Sequence, residues 1–266
     1  MGVDIQAYEE HLKLEKERHM AIVKTNEFVR LSRYKLNVQE LKIVAYLISQ
    51  MKPQMTEIPR MTMSVKSFCD VCGINNSGRS RKQVQDSVLS LRNKGWWFED
   101  EKSMSSVAWI EHVEYDKGKD TIELELSRKL TEYIVLKKIE KRTQYELISI
   151  IDMQSEYSIR LFELLKSYSS MGRAEFQVDE LRKILGATAK TYKEYKHFKA
   201  KVLNLALSEI NNGKYPILEV KLEVTRRNRK VDILIFNIKE LTSFETVQKG
   251  HDNELEKTNV RIEEYE

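Results

Sequence analysis

Two stretches of the chain, a little over a hundred residues apart, spell out the same order of elements, and no other feature restricts the fold as much. In the first, Asn37 stands as an N-cap three residues before Glu40, and Leu41, Val44, Ala45 and Ile48 recur at helical spacing through Met51. Pro53 and Pro59 break the pattern; Ser64 opens a short helix, Val65 to Cys72, that Gly73 stops. A polar turn, Asn75-Asn76-Ser77-Gly78, leads into a third helix from about Arg79 to Asn93, with Val84, Val88 and Leu91 inward and Gly95 at its end. Trp96–Phe98, Ser106–Ile110 and Thr121–Leu126 then read as strands, the last two joined around Asp116-Lys117-Gly118-Lys119.

The order returns in the second stretch. Ser155 caps a helix carrying Ile159, Phe162 and Leu165, and Val178–Leu185 forms a short helix stopped by Gly186, the counterpart of Gly73. A long helix from about Tyr192 to Asn211 turns Phe198, Val202, Leu205 and Ile210 inward and stops at Gly213, the counterpart of Gly95. Ile217–Val224 alternates at period two, Arg226-Arg227-Asn228-Arg229-Lys230 makes a turn, and Val231–Phe236 returns. Helix, helix, turn, helix, hairpin is the order of a winged helix, so the expected fold class is α+β with two tandem winged-helix domains. The expected boundaries are a charged N-terminal arm over 1–24, a first domain over 25–138, a second over 139–240, and a frayed acidic tail over 241–266. Between the domains, Leu130–Leu136 and the strand-like Tyr145–Ile151 predict a packed connector.

The net charge of +4 is unevenly spread: residues 1–24 carry −1 and residues 241–266 carry −4, which leaves +9 on residues 25–240. A basic body with an acidic tail is a common footprint of nucleic-acid binders. The longest apolar run, Ile43–Ile48, is far short of a bilayer span. The first residues lack an export or myristoylation pattern, and Cys69 and Cys72 are the two cysteines of the chain, so a cytoplasmic protein without membrane association is expected.

Catalytic patterns are weak. Gly73–Ser80 resembles a phosphate-binding loop with Arg79 in the lysine position, but that motif needs a preceding strand where a helix is expected. Cys69-Asp70-Val71-Cys72 is a lone CxxC with no second pair for zinc and no βαβ context for redox chemistry, and reads as buried small residues. His11, His19, His112, His197 and His251 never occur as His-x-His or His-x-x-x-His, so a metal-dependent nickase has no visible site. No catalytic residue, metal or cofactor is expected.

The basic elements fall where a DNA reader needs them. Lys190, Lys193, Lys196, Lys199 and Lys201 crowd the N-terminal end of the second long helix, against the helix dipole, so a phosphate backbone is a natural partner. Lys193, Glu194, His197 and Lys201 share one face at helical spacing, where base readout is expected. Arg226, Arg227, Arg229 and Lys230 form a cationic cluster on the wing, suited to phosphates or a narrow minor groove. Ser77, Arg79, Arg81, Lys82 and Gln85 are the smaller set at the start of the first recognition helix. A solvated lysine-rich face is the competing explanation for each cluster.

With these residues placed, the chain resembles the initiator replication proteins of plasmids over roughly residues 25–240. The resemblance rests on Ser155-x-Tyr157-Ser158-Ile159-Arg160-Leu161-Phe162-Glu163-Leu164-Leu165, on Phe176-x-Val178-x-Glu180-Leu181-Arg182-x-x-Leu185-Gly186, and on Tyr192-x-x-Tyr195-x-x-Phe198-Lys199-x-x-Val202-Leu203-x-x-Ala206-x-x-Glu209-Ile210-Asn211, with Leu41-Lys42-Ile43 a weaker match. Phe162, where the family often has Tyr, and the short acidic tail depart from the pattern. The resemblance implies a non-enzymatic initiator that binds double-stranded DNA. Its monomers would hold direct repeats (iterons) at an origin, the second domain reading the major groove and the first holding phosphates. Homodimers formed through the first domain would repress the protein's own promoter at an inverted repeat, and the host initiator and replicative helicase would be recruited. The competing functions are a transcription regulator without a role in initiation, a rolling-circle nicking enzyme, and a protein-interaction scaffold.

Overall fold

The computed structural model describes residues 5–51, 60–99, 104–116, 118–136 and 141–263. Pro53, Pro59 and Lys117 lie outside the described residues. The chain divides into two compact units, Met1–Ile151 and Asp152–Glu266.

The first unit runs α1 (Ile5–Arg18), β1 (Ala21–Thr25), α2 (Asn26–Leu31), α3 (Val38–Ser49), β2 (Arg60–Ser64), α4 (Val65–Val71), α5 (Gly78–Asn93), β3 (Gly95–Glu99), β4 (Met104–Ala108), β5 (Ile110–Asp116), β6 (Thr121–Leu126), α6 (Arg128–Thr131), β7 (Arg142–Glu146) and α7 (Ile148–Ile151). The Asn37 and Glu40 side chains form a reciprocal capping box on α3, a helix buried on every side from Glu40 to Ser49. Glu40 is tolerated there because Lys94 Nζ reaches its carboxylate at 2.7 Å. Phe28 meets Trp96 edge-on at 5.1 Å and Tyr34 meets Trp109 at 4.9 Å, an aromatic cluster that both indoles enter fully buried. The strands form a three-stranded sheet of order β2-β6-β5 and two pairs, β3-β4 and β1-β7.

Three boundary expectations change here. The N-terminal segment is not a free arm: Arg18 donates from Nε to the Val71 carbonyl and from Nη2 to the Asp70 carbonyl, each at 3.1 Å, so it caps the C-terminal end of α4. Ala21–Thr25 then pairs antiparallel with Arg142–Glu146. That pairing carries residues 141–151 into the first unit rather than the second. The strand expected over Tyr145–Ile151 ends at Glu146 and turns into α7.

The second unit runs α8 (Glu156–Lys166), β8 (Arg173–Gln177), α9 (Val178–Ile184), α10 (Tyr195–Phe198), α11 (Asn204–Asn211), β9 (Leu218–Arg227), β10 (Lys230–Glu240) and α12 (Ser243–Glu263). Its sheet, β8-β10-β9, repeats the β2-β6-β5 arrangement, with a short strand ahead of the short helix (α4 or α9) pairing to the inner strand of the hairpin. Gly73 and Gly186 adopt left-handed φ of +63° and +69° at matching helix ends, so the repeat holds at the level of single backbone angles. Among the described residues, no helix is long and apolar enough to cross a membrane.

The acidic tail expected to fray is instead the helix α12. Thr242 Oγ1 accepts from the Glu245 amide at 3.3 Å while Glu245 Oε2 accepts from the Thr242 amide at 2.8 Å, a capping box that starts the helix. Asn253, buried, donates to the Gly213 carbonyl at 2.9 Å. Gly250 sits so close that a Cβ there would lie 2.2 Å from the Lys214 carbonyl oxygen. The helix therefore docks through a glycine and an amide rather than through an apolar stripe.

Gly250→Ala is expected to destabilise the protein by about 1–3 kcal/mol in urea denaturation, because the new methyl meets backbone that cannot step aside. Amide exchange of α12 should rise with it. Lys239 and the Thr242 amide hold the Glu245 carboxyl at about 2, so its contribution to the docked helix is complete above the unfolded value of about 4.5 and fades as pH falls toward 2. Exchange of the Thr242–Val247 amides across that window measures it.

Candidate nucleic-acid interface

The second unit brings its basic residues together by tertiary structure rather than along one helix. A tight turn, Lys190–Lys193, precedes Glu194, which is extended at φ −79° and ψ 122°; the helix itself begins at Tyr195 and continues to Asn211. Lys193 and Glu194 thus stand ahead of the helix, and the face expected to join Lys193, Glu194, His197 and Lys201 at helical spacing is not formed. A widened π-type turn at Lys199–Leu203 adds a second change. It shifts the phase, so Phe198, Val202, Ala206 and Ile210 point inward while Leu205 is 44% exposed.

Lys193, Glu194 and Lys196 face Arg226, Arg229 and Lys230 of the wing across one cleft of about 660 Å³, with Arg182 and Tyr195 in its walls. Lys190, Lys199, Lys201 and Arg227 are exposed nearby, and half-buried His197 lies 3.5 Å from the Glu194 carboxylate. The wing turns on two residues, Asn228 and Arg229, both left-handed at φ 50° and 66°, with Arg227 paired to Lys230. Two consecutive left-handed residues make the tightest hairpin turn. Holding an arginine in that conformation, which usually favours glycine or asparagine, concentrates four cations at the tip. The N-cap of α10 makes no side-chain hydrogen bond to the first turn, unlike α4, α5 and α8, which use Ser64, Ser77 and Ser155. At the start of this lysine-rich helix the His197 and Phe198 amides both donate to the Glu194 carbonyl, at 3.1 and 3.2 Å.

Arg182 organises this cleft, and sequence reasoning gave it no role of its own. Its side chain, 13% exposed, donates from Nη1 to Asp179 at 2.5 Å. From Nη2 it donates to the Lys193 carbonyl at 3.0 Å, and the guanidinium lies 5.1 Å from the Phe198 ring centre. The buried Arg182 Nε and Tyr195 hydroxyl make no hydrogen bond among the described residues. Burial raises the Tyr195 phenol while Arg226 pulls it back. At the far end, Glu209 accepts from the Gln154 and Ser155 amides at 3.0 and 3.3 Å, and the Asn211 side chain exchanges two hydrogen bonds with the Val220 backbone. Buried Arg160 donates to the Ile184 carbonyl at 3.2 Å. These polar residues at inward helical positions were the available sequence sign of a scaffold role.

In the first unit the expected set divides. Arg79 and Lys82 are exposed at the start of α5. Arg81 is held by Asp120 at 3.0 Å and by Asn76 at 2.7 Å, tying the helix to the hairpin. Ser77 accepts from the Ser80 amide as the N-cap, and Gln85 lies against Tyr115. The structure brings Arg81, Lys82 and Gln85 together in a groove with Leu89, Val113 and Tyr115. Cys69 and Cys72 are buried and free, and burial pushes the Cys72 thiol up to about 12, too high for a nucleophile at neutral pH. The segment before Gly73 is the helix α4.

Two sheet-backed helix-turn-helix units, the second carrying a cationic wing beside a cationic recognition helix, define a tandem winged-helix protein. Residues 21–166 match the family model described as initiator replication protein, WH1, and residues 177–238 match that of initiator Rep protein, WH2. The chain belongs to the initiator replication protein family. It is 21% identical over 258 residues to a replication initiation protein of Escherichia coli, covering 91% of this chain and 77% of that one. Among solved structures it is similar to the Pi initiator protein in complex with iteron DNA, with a TM-score of 0.70, 18% identity, and coverage of 85% of this chain and 99% of that one.

Arg182→Ala should remove the fastening of the Lys190–Lys193 turn. The expected loss is about 1–3 kcal/mol in urea denaturation, with faster amide exchange from Lys190 to Phe198. Arg182→Lys should not restore it, since a single ammonium lacks the planar fork that reaches the carboxylate from one nitrogen and the carbonyl from the other. Unchanged exchange in that segment would contradict the assignment.

Proposed function

We propose that this chain initiates plasmid replication by binding repeated duplex sites at an origin, with the second domain as the principal reader. The observation that carries this reading is the single cleft in which Lys193 and Lys196 face Arg226, Arg229 and Lys230. Lys190, His197, Lys199 and Lys201 extend the basic surface along the helix, and Arg227 extends it on the wing. In this reading the helix start enters the major groove, Glu194 and His197 meet base edges, and the wing lies on phosphates or a minor groove. Arg79 and Lys82 give the first domain a smaller phosphate contact, with Ser77 and Arg81 holding that helix in position.

The E. coli relative named for replication initiation and the likeness to an initiator solved with iteron DNA support this reading. So does family membership, which also favours a non-enzymatic, cytoplasmic protein. Monomers would occupy the repeats; homodimers formed through the first domain would repress the promoter at an inverted repeat; bound monomers would bring in the host initiator and replicative helicase.

The test is footprinting of the purified protein on the DNA flanking its own gene at several salt concentrations. Tandem protected repeats near whole helical turns are expected, and protection of one promoter repeat alone would favour a regulator instead. With six to eight phosphates engaged, log affinity should fall against log salt with a slope of about −5 to −7, and Arg227→Ala should flatten it by about one. Salt-independent binding would defeat the phosphate reading.

A further inference from the structure

The two hairpins occupy the same place in their units, each supplying the inner and one outer strand of its sheet, yet they carry opposite charge. The turn of the second has Arg226, Arg227, Arg229 and Lys230; the first, from Ile110 to Leu126, has six carboxylates against two lysines. Several of those carboxylates have internal work. Asp120 holds Arg81, Asp116 lies 3.3 Å from Lys119, Glu111 accepts from the Arg128 amide at 3.0 Å, and Glu125 pairs with Arg60 at 2.8 Å.

Glu114 and Glu123 are different. They stand directly opposite each other in the β5-β6 register, on the outer face of the sheet. Like charges facing across a ladder destabilise it. Nearby, His112 approaches Glu114 only to 3.8 Å, and the Arg60 guanidinium already spends its hydrogen bond on Glu125 while lying in the field of all three glutamates. The facing pair therefore shares its nearest guanidinium with Glu125, on the element whose counterpart in the second unit carries four cations at its turn.

Resting on the DNA-binding reading above, we infer that the first hairpin is a repelling wing. Its carboxylates raise the free energy of any duplex that approaches the first recognition helix, and only DNA that the rest of the protein reads offsets this. The first domain then contributes discrimination more than affinity, since specificity is a difference between right and wrong partners. Repulsion at this range acts within the screening length of about 8 Å at physiological salt, so it weakens as salt rises.

The experiment uses the full chain with Glu114→Lys and Glu123→Lys together, and separately Glu114→Gln with Glu123→Gln, titrated at several salt concentrations. The probes are a random-sequence duplex and the DNA flanking the protein's own gene. The lysine pair should bind the random duplex about tenfold tighter with a slope steeper by about two, from two new phosphate contacts. Binding to the flanking DNA should gain less, so the ratio between the two falls. The glutamine pair should raise random-duplex binding by a smaller factor without steepening the slope, and it decides the matter if the lysine pair fails to fold. Unchanged affinity for the random duplex, or an equal gain on both DNAs, overturns the inference. Arg227→Ala with Lys230→Ala separates the two readings: if it weakens binding while the hairpin variants are silent, only the repelling wing falls; if it too is silent, the DNA-binding reading falls.

Discussion

A helix that starts with lysines cannot hold itself in place, and the second unit is arranged around that constraint. Cations at a helix N-terminus oppose its dipole, and α10 has no side-chain cap to offset them. The helix is fastened instead by neighbours. Arg182 grips the Lys193 carbonyl ahead of it, Glu209 ties its last turns to the amides before α8, Asn211 locks onto β9, and Asn253 satisfies a carbonyl just beyond its end. Each of these gives a backbone group of a neighbouring segment a side-chain partner. With stability drawn from the flanks, the leading turn is free to carry charges that suit a phosphate backbone.

The first unit keeps the same frame and changes what the frame presents. It inserts the β3-β4 pair between its recognition helix and its hairpin, and with it the Trp96–Phe98 contribution to the aromatic cluster around Phe28. It spends Arg81 on an internal bridge to Asp120. Two copies of one fold have thus diverged at the positions that face outward, while the glycine-terminated short helix and the three-stranded sheet persist in both.

Much of the framework was legible because helical periodicity reports burial directly. Val84, Val88 and Leu91 in α5, and Ile159, Phe162 and Leu165 in α8, are buried as their spacing predicts. The failures have physical causes. Leu205 points outward because the π-type turn slips the phase by a residue, which no 3.6-residue template contains. The tail looked frayed because it lacks an apolar stripe, although Thr242-Ser243-Phe244-Glu245 carries a capping-box pattern and Gly250 and Asn253 do the packing. β2 and β8 are five residues each and mostly polar on one face, too short to stand out. The β1-β7 pair joins Ala21 to Glu146, a contact that local pattern cannot foresee.

Sequence alone determined the duplicated order of elements, the glycines that end the short helices, the burial of the CxxC pair, and the concentration of cations on the second recognition segment and its wing. These follow from periodicity, turn chemistry and charge, all of which are local. Only the tertiary structure decided which cations remain available: Arg79, Lys82, Lys193 and Lys196 are exposed, whereas Arg18, Arg81, Arg160 and Arg182 are drawn into carbonyls and carboxylates from elsewhere in their own unit. Whether a charged side chain faces a partner or serves the fold depends on what lies within about 3 Å of it in space, and that is set by packing between segments that are far apart in the chain.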